Sequence, residues 1–349
     1  MRHNTWSTVM KEKHRTNKPN DKGYDEQIVP IKIPIYQSAI QLSLIVPVET
    51  RWPPIRRIKL SPIKFSTMTR TPKGGLKKAL AFSDSQCGYV RDLESMAIDE
   101  PLHDPKAMSL ALEVARVEKP HLILIVGDML DLTEWSDKFI TGPEFIRCTQ
   151  PALNFLASWL KDLRETCDRM IYIEGNHEDR MRRAVIKNQI AAYGLRPANM
   201  ESTLPSMSVE YLLGLPDLGI EYLGPYPKAE YWINDNLVVS HGTKVGNKSG
   251  ATATKMLEAA RFSEIQGHNH RLESAHLRVE AYSKDIIYGA YTLGTLARTD
   301  GIVPGYKKKR ENWQQGFGRV WYDDNRFQVQ LVPIYNGECI LDGHILKVE

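Results

Sequence analysis

Residues 121–131 read HLILIVGDMLD, and this stretch decides the fold class. Residues 122–126 are consecutive aliphatic residues, which is typical of a strand that is buried on both faces. Directly after them come a glycine and two aspartates, Asp128 and Asp131. Strands of this kind are found mainly in sheets that helices cover on their faces. The stretch therefore predicts an α/β fold in which acidic side chains follow a buried strand.

The segments on both sides of this strand alternate between apolar runs and amphipathic helical patterns. Further strands are predicted at 78–84 and 169–176, and helices at 105–118 and 151–166. The second half predicts a hairpin over 230–242, a helix over 251–262, and then mostly strands. The order strand, helix, strand, helix, strand predicts an α/β domain.

Composition excludes several classes of protein. No apolar run approaches the roughly 20 residues that span a bilayer, and the first residues lack the apolar core of a secretory signal. We therefore expect no membrane partner. The chain has 4 cysteines with no CxxC pair, which argues against a zinc ribbon and a disulfide scaffold. A reducing cytoplasm is the expected location, namely the host cytoplasm if a phage encodes the chain.

Positive charge is concentrated at the N-terminus. Residues 1–75 contain 14 Lys/Arg and 5 Asp/Glu, a net charge of +9, whereas the remaining residues carry −5. Residues 1–75 are also rich in proline, which disfavours helices. We predict a basic, proline-rich N-terminal extension or small accessory unit at 1–75 and a second domain at 76–349. The basic region suggests nucleic acid as a partner, and a solvated leader is the alternative interpretation.

Polar side chains with metal-binding chemistry follow five of the predicted strands. The carboxyl ends of strands in an α/β sheet border the ligand crevice, so these side chains are expected to meet there. Oxygen from Asp and nitrogen from His suit divalent ions such as manganese, iron or zinc. Two carboxylates and several histidines suit two ions about 3.5–4 Å apart. The residues concerned are Asp84, Gln86, Asp128, Asp131, Asn176, His177, His241, His268 and His270.

The order of these residues resembles the calcineurin-like metallophosphoesterases, whose five blocks run DxH, GDxxD, GNH[DE], H and GHxH. The chain has DSQ at 84–86, GDMLD at 127–131, GNHE at 175–178, His241, and GHNH at 267–270. Four of the blocks match fully. A single block arises by chance in many chains, but five in order, each at the end of a predicted strand, form a specific signal.

The resemblance implies a four-layer α/β/β/α sandwich of two mixed sheets, with a two-metal site at the C-terminal ends of the strands. It implies hydrolysis of phosphate mono- or diesters through a metal-bridging hydroxide. His177 would serve the leaving oxygen, and Asp131 would orient its imidazole. Arg180 would contact a phosphate oxygen or form a structural salt bridge. The first metal would be held by Asp84, Gln86, Asp128 and His270, and the second by Asp128, Asn176, His241 and His268.

One block departs from the family pattern, because Gln86 stands where the family usually has histidine. A glutamine amide oxygen is a neutral and weaker ligand than imidazole, so the first site would favour a harder ion or bind its ion loosely. The expected cofactors are two divalent metal ions, with manganese first and iron, zinc, magnesium or nickel as alternatives.

The substrate stays open at this point. One hypothesis is a nuclease or nucleic-acid phosphatase, with the basic N-terminal region binding phosphates. A second is a small-molecule or protein phosphatase. A third, from a different class, is a catalytically weak binding or scaffold protein whose first metal site is degraded at Gln86.

Overall fold

The computed structural model describes residues 12–14, 25–27, 75–137, 142–198, 204–258, 260–281, 284–303 and 311–348. The chain divides into two units, Met1–Ile58 and Lys59–Glu349. The described part of the first unit is an antiparallel pair of strands, β1 (Glu12–His14) and β2 (Asp25–Gln27). Most of the predicted extension at 1–75 lies outside the described residues, and the boundary at residue 76 stays a prediction.

The second unit contains a six-stranded mixed sheet built around the stretch quoted above. Its order is β15-β14-β3-β6-β7-β8. The central strands β3, β6, β7 and β8 run parallel, and β14 and β15 are antiparallel additions at one edge. The strands are β3 (Lys77–Phe82), β6 (Leu122–Val126), β7 (Arg169–Ile173), β8 (Glu221–Leu223), β14 (Gly316–Tyr322) and β15 (Phe327–Pro333).

A five-stranded mixed sheet has the order β12-β13-β11-β10-β9. Strand β11 is parallel to both β10 and β13, and the outer strands are antiparallel to their neighbours. The strands are β9 (Glu230–Asn234), β10 (Leu237–Ser240), β11 (Ser263–Gln266), β12 (Leu272–Ala281) and β13 (Lys284–Leu293). Two small hairpins are formed by β4 (Tyr89–Arg91) with β5 (Ile98–Pro101), and by β16 (Glu338–Leu341) with β17 (His344–Lys347).

Five α-helices are described in the second unit: α1 (Pro105–Glu118), α2 (Thr149–Arg164), α3 (Glu178–Asn188), α4 (Val209–Leu212) and α5 (Ala251–Leu257). Local signals explain the bounds of α1. The Asp104 carboxylate accepts hydrogen bonds from the amides of Lys106 and Ala107, and Pro105 occupies the first helical position. Lys119 ends the helix in the left-handed conformation. Among the described residues, no helix has the length and apolar character needed to cross a membrane.

Alternate residues of the central strands enter different layers. In β3, Leu80 and Phe82 belong to the core that includes helices α1 and α2, whereas Ala79 and Ala81 belong to the core between the two sheets. Short helix α5 covers the outer face of the five-stranded sheet through Met256 and its neighbours. The predicted α/β/β/α sandwich of two mixed sheets is confirmed.

Three elements show where the structure departs from the sequence expectation. Helix α5 ends at Leu257, earlier than the predicted residue 262. Helix α3 was not predicted, because its sequence EDRMRRAVIKN contains few apolar residues and buries charged ones instead. Strand β12 was not predicted either. It lies at the edge of its sheet and alternates polar with apolar residues, which gives a weaker signal than the central strands.

Candidate metal centre

The five blocks meet where strands of both sheets end. Asp84 and Gln86 follow β3, Asp128 follows β6, and Asn176 follows β7 in the six-stranded sheet. His241 follows β10, and His268 and His270 follow β11 in the five-stranded sheet. Because β3, β6 and β7 run parallel, as do β10 and β11, their carboxyl ends lie at common edges.

Two groups of candidate metal ligands share one carboxylate. Asp84, Asp128 and His270 form one group, and Asp128, His241 and His268 form the other. Within each group the ligand atoms lie within 4.8 Å of one another. The structure thus places Asp128 between the two groups, where the resemblance expects a bridging carboxylate.

The first group is tightly packed around Asp84. His270 Nε2 lies 3.0 Å from Asp84 Oδ1, and the His268 amide donates to Asp84 Oδ2 at 2.9 Å. The side-chain amide of Gln86 lies 3.1 Å from His270 Nε2. Gln86 therefore lies beside the first group, next to His270.

The second group is oriented by a backbone carbonyl. His241 Nδ1 lies 2.8 Å from the Val126 carbonyl oxygen, which can only accept, so Nδ1 carries a proton. His241 Nε2 then faces Asn176 Oδ1 at 3.2 Å and Asp128 Oδ1 at 3.3 Å. A hydrogen bond from the opposite ring nitrogen is the usual way in which proteins orient a metal-binding histidine.

The pKa values of the groups in the centre depend strongly on one another. Burial by itself would raise the pKa of Asp128, but His177, His241 and His268 hold that pKa well below the usual range. Burial lowers the pKa of His241, and the nearby Asp128 carboxylate outweighs this effect and raises it to about 10. Asp128 is therefore an ionised carboxylate surrounded by nitrogen donors.

Two properties of the candidate ligands suit divalent ions: their carboxylate and imidazole groups, and buried polar atoms that form no hydrogen bond. Buried His268 Nδ1 and His270 Nδ1 have no hydrogen-bond partner, and the 3.0 Å contact of Asp84 Oδ1 with His270 Nε2 lacks hydrogen-bond geometry. Buried polar atoms normally form hydrogen bonds, so several buried atoms without one in the same place indicate a ligand such as a metal ion. The two groups of carboxylate and imidazole atoms could hold divalent ions such as manganese, iron or zinc.

Five of the candidate ligands share a strained backbone conformation. Asp84, Gln86, Asp128, His268 and His270 all have φ between 47° and 70°. This left-handed conformation costs a non-glycine residue about 1–2 kcal/mol. Strain of this kind persists where the surrounding structure holds it, and it clusters at functional sites.

The block glycines are needed because the loops approach each other closely. A Cβ atom on Gly175 would lie 2.3 Å from the amide nitrogen of Asp128 and 2.3 Å from its Oδ1. Gly127 has a φ of 75°, and a Cβ atom there would lie 2.6 Å from His241 Nδ1. Both positions therefore exclude a side chain for steric reasons.

Glu178 joins two of the loops, a role that sequence reasoning did not assign. Its buried carboxylate accepts five hydrogen bonds of 2.8–3.1 Å. Burial pushes the pKa of Glu178 upward, to about 7, and the donated hydrogen bonds oppose that shift by favouring the ionised form. The five donors are the amides of Asp128, Met129, Leu130 and Gly175 and the Tyr172 hydroxyl.

His177 lies beside the second group, at the start of α3. Its amide donates to Asp128 Oδ1 at 2.8 Å, and burial lowers the pKa of its imidazole to about 3. Asp131, the predicted orienting residue, lies 3.6 Å from His177 Nδ1, which is beyond hydrogen-bond distance. Burial raises the pKa of Asp131 to about 6.

Arg180 orients His177 instead. Its Nη2 lies 2.7 Å from His177 Nε2, and its Nη1 donates to the Asp131 carbonyl oxygen at 2.6 Å. A guanidinium can only donate, so His177 Nε2 accepts and the ring proton is at Nδ1. Arg180 is only 7% exposed. Its guanidinium therefore joins the His177 ring to the backbone of the second block.

Two partly exposed aromatic side chains flank the centre, and neither was predicted. The Tyr226 ring packs edge-on against His241 at 5.8 Å between centroids, and the Trp313 ring packs edge-on against His270 at 4.1 Å. Each group of ligands thus has one aromatic neighbour. These residues lie outside the five blocks, so the block pattern carried no signal for them.

The five blocks, assembled at the ends of these strands, resemble those of the calcineurin-like metallophosphoesterases, with Gln86 as the one departure. No family model matches the chain. The chain is similar to the Gene 54 protein of Mycobacterium phage D29, with 26% identity over 257 residues, covering 71% of this chain and 95% of that protein.

Similar solved structures include two phosphatases and a phosphoesterase. A dimetal phosphatase from Danio rerio has 13% identity and a TM-score of 0.36, covering 73% of this chain and 95% of that chain. Yfce, a phosphoesterase from E. coli, has 11% identity and a TM-score of 0.32, covering 70% and 90%. Purple acid phosphatase PPD1 from yellow lupin (Lupinus luteus) seeds has 9% identity and a TM-score of 0.33, covering 76% and 52%.

Proposed function

We propose that this protein is a metal-dependent phosphoesterase that hydrolyses phosphate mono- or diesters. The observation that carries the proposal is the pair of Asp/His groups that share Asp128. The buried, unpartnered oxygen and nitrogen atoms in the same place support it. Two bound divalent ions would supply an activated water and neutralise charge on the phosphate oxygens.

The chain's own residues would then perform distinct tasks. Asp84, Gln86, Asp128 and His270 would hold one ion, and Asn176, His241 and His268 would join Asp128 in holding the other. The first site would carry two carboxylates and a neutral amide. Manganese is the first choice for such an oxygen-rich site, and iron, zinc, magnesium or nickel are the alternatives.

His177 would serve the leaving oxygen, with Arg180 as its positioning residue. Because Arg180 donates to His177 Nε2, this nitrogen holds no proton in the arrangement seen here. The pair therefore favours stabilisation of the charge on the leaving oxygen over direct proton donation from Nε2. The guanidinium brings a permanent positive charge next to the ring.

We further propose nucleic acid as the substrate class. The net charge of +9 in residues 1–75 supports this, because lysine and arginine neutralise backbone phosphates. A small-molecule or protein phosphatase is the alternative, and a catalytically weak scaffold protein is a third possibility. The expected compartment, the cytoplasm, is also part of this proposal.

The activity is tested with chromogenic phosphodiester and phosphomonoester substrates and each of the five candidate metals. Wild-type protein should turn over at least one ester with manganese. Asp128→Asn should abolish turnover because it alters the carboxylate that both groups share. His276→Ala is the matched histidine control, because His276 lies on β12 and bonds Tyr291. Inert wild-type protein with every metal would refute the enzyme proposal.

The role of the basic region is tested through salt dependence. The slope of log K against log salt is measured for single- and double-stranded DNA with the full chain. The variant Arg51→Gln, Arg56→Gln, Arg57→Gln should reduce the slope by about 2–3 if these residues bind phosphates. An unchanged slope would remove the basic region from the proposal. Phosphopeptides and nucleotides, assayed in parallel, test the phosphatase alternative.

A further inference from the structure

Trp313 lies against one half of the metal centre in a position that the proposed reaction does not explain. Its ring is partly exposed and meets the His270 ring edge-on, with centroids 4.1 Å apart. His270 belongs to the group that contains Asp84 and Asp128. A large, partly exposed indole therefore borders the place where the phosphate would bind.

The backbone around Trp313 is held from both sides. The Gln314 amide donates to the His270 carbonyl oxygen at 2.9 Å, and Arg271 Nε donates to the Asn312 carbonyl oxygen at 3.1 Å. The Asn312 side chain donates to Ser249 Oγ at 2.9 Å. Residues on both sides of Trp313 are thus tied to the fifth block and to the loop after β10, which fixes the indole next to the site.

The sequence beside Trp313 is basic. Residues 307–310 are KKKR, directly before ENW at 311–313. Positively charged residues and aromatic side chains occur together in proteins that bind single strands, so this composition favours a nucleic-acid ligand. This feature is a second observation, independent of the ring contact with His270.

We propose that Trp313 is a stacking surface for a nucleobase carried on the phosphate that the centre hydrolyses. This inference rests on the proposed phosphoesterase function and names its substrate class. Stacking of a base on an aromatic side chain contributes enough to change binding about tenfold to a hundredfold. A free mononucleotide and a single-stranded nucleic acid share this chemistry, and the experiment separates them.

A purely structural role for Trp313 predicts a different result. If the ring only holds His270 in place, its removal would lower metal content and reduce turnover of every ester equally. A stacking role instead affects only substrates that carry a base. The test therefore compares two esters with the same leaving group, the p-nitrophenyl ester of thymidine 5′-phosphate and ethyl p-nitrophenyl phosphate.

The variants are Trp313→Leu, which keeps apolar bulk, and Trp313→Phe, which keeps an aromatic face. Trp313→Leu should lower kcat/KM for the thymidine ester about tenfold or more, mainly through KM, and change the ethyl ester less than threefold. Trp313→Phe should restore most of the loss. Trp232→Leu is the matched control, because Trp232 is 40% exposed on β9, packed against Phe262. Parallel losses on both esters would overturn the proposal.

A binding measurement separates this inference from the proposed activity. Thymidine 5′-phosphate, deoxyribose 5-phosphate and oligothymidylate are titrated against wild-type protein and the variants, and tryptophan emission is followed. Thymidine 5′-phosphate and oligothymidylate should quench the tryptophan emission of the wild type. Loss or change of this quenching in Trp313→Phe would support stacking even if no ester is turned over. Equal binding of thymidine 5′-phosphate and deoxyribose 5-phosphate would overturn it. Tighter binding of oligothymidylate would identify a single strand as the substrate, and equal binding a nucleotide.

Discussion

Replacing Glu178 with glutamine tests whether one carboxylate holds the second and third blocks together. Glu178 Oε1 accepts three hydrogen bonds and Oε2 accepts two. Glutamine has the same shape, but one of its two terminal groups is an NH₂ group. In its better orientation the amide oxygen faces the three donors, and the NH₂ group faces the amides of Asp128 and Gly175.

The expected cost follows from those two lost bonds. A hydrogen bond to a charged group contributes about 1.5–3 kcal/mol, and an unsatisfied buried donor loses that amount. Glu178→Gln should therefore lower the free energy of unfolding by about 3–6 kcal/mol. This is a large share of the roughly 5–15 kcal/mol that stabilises a typical domain. The same change should weaken metal binding, because the Asp128 amide loses its anchor.

Urea unfolding in EDTA measures the first effect, and calorimetric titration with manganese measures the second. Tyr172→Phe removes one of the five donors and should cost only about 1–2 kcal/mol. Glu113→Gln is the matched control on α1, where the side chain is 43% exposed, and it should change stability by less than about 0.5 kcal/mol. A Glu178→Gln protein within 1 kcal/mol of wild type, with an unchanged urea dependence, would refute this account of Glu178.

Three further predictions concern the centre and its surroundings. Manganese at 100 times its Kd should raise the free energy of unfolding of the wild type by about 2.7 kcal/mol, and Asp128→Asn should lose this shift; an unchanged wild-type melting temperature would contradict metal binding. Gly175→Ala should abolish turnover and weaken metal binding, since its Cβ atom would collide with Asp128; wild-type kinetics in this variant would show that the loops can move apart. Burial lowers the pKa of His103 to about 4 from its usual value of 6.5. Its neutral form is therefore favoured in the folded state, and stability present above pH 6.5 is lost as the pH falls towards 4, by about 3 kcal/mol. His103→Phe should flatten this part of the stability profile measured by urea unfolding, and an equally steep profile would assign the acid sensitivity to other groups.

The elements that were predictable carry local signals. Helix α1 has its capping aspartate, a proline at the first position and apolar spacing within one short segment, and its predicted bounds agree with the structure. Strands β3, β6 and β7 are short apolar runs, each followed by a block residue. Helix α3 escaped prediction because its buried residues include Glu178 and Arg180, which a hydrophobic pattern cannot detect.

The sequence by itself determined which side chains stand at the strand ends and in what order. Those are local facts, since a motif and the apolar run before it lie on one piece of chain. Only the tertiary structure decided which of them meet: that Asp128 lies in both groups, that Arg180 and not Asp131 bonds His177, and that Trp313 faces His270. Apart from the local contact between Arg180 and His177, these contacts join residues from separate loops, where several candidate ligands have a left-handed backbone. Distances between such loops depend on how two sheets pack, and no short stretch of sequence encodes them.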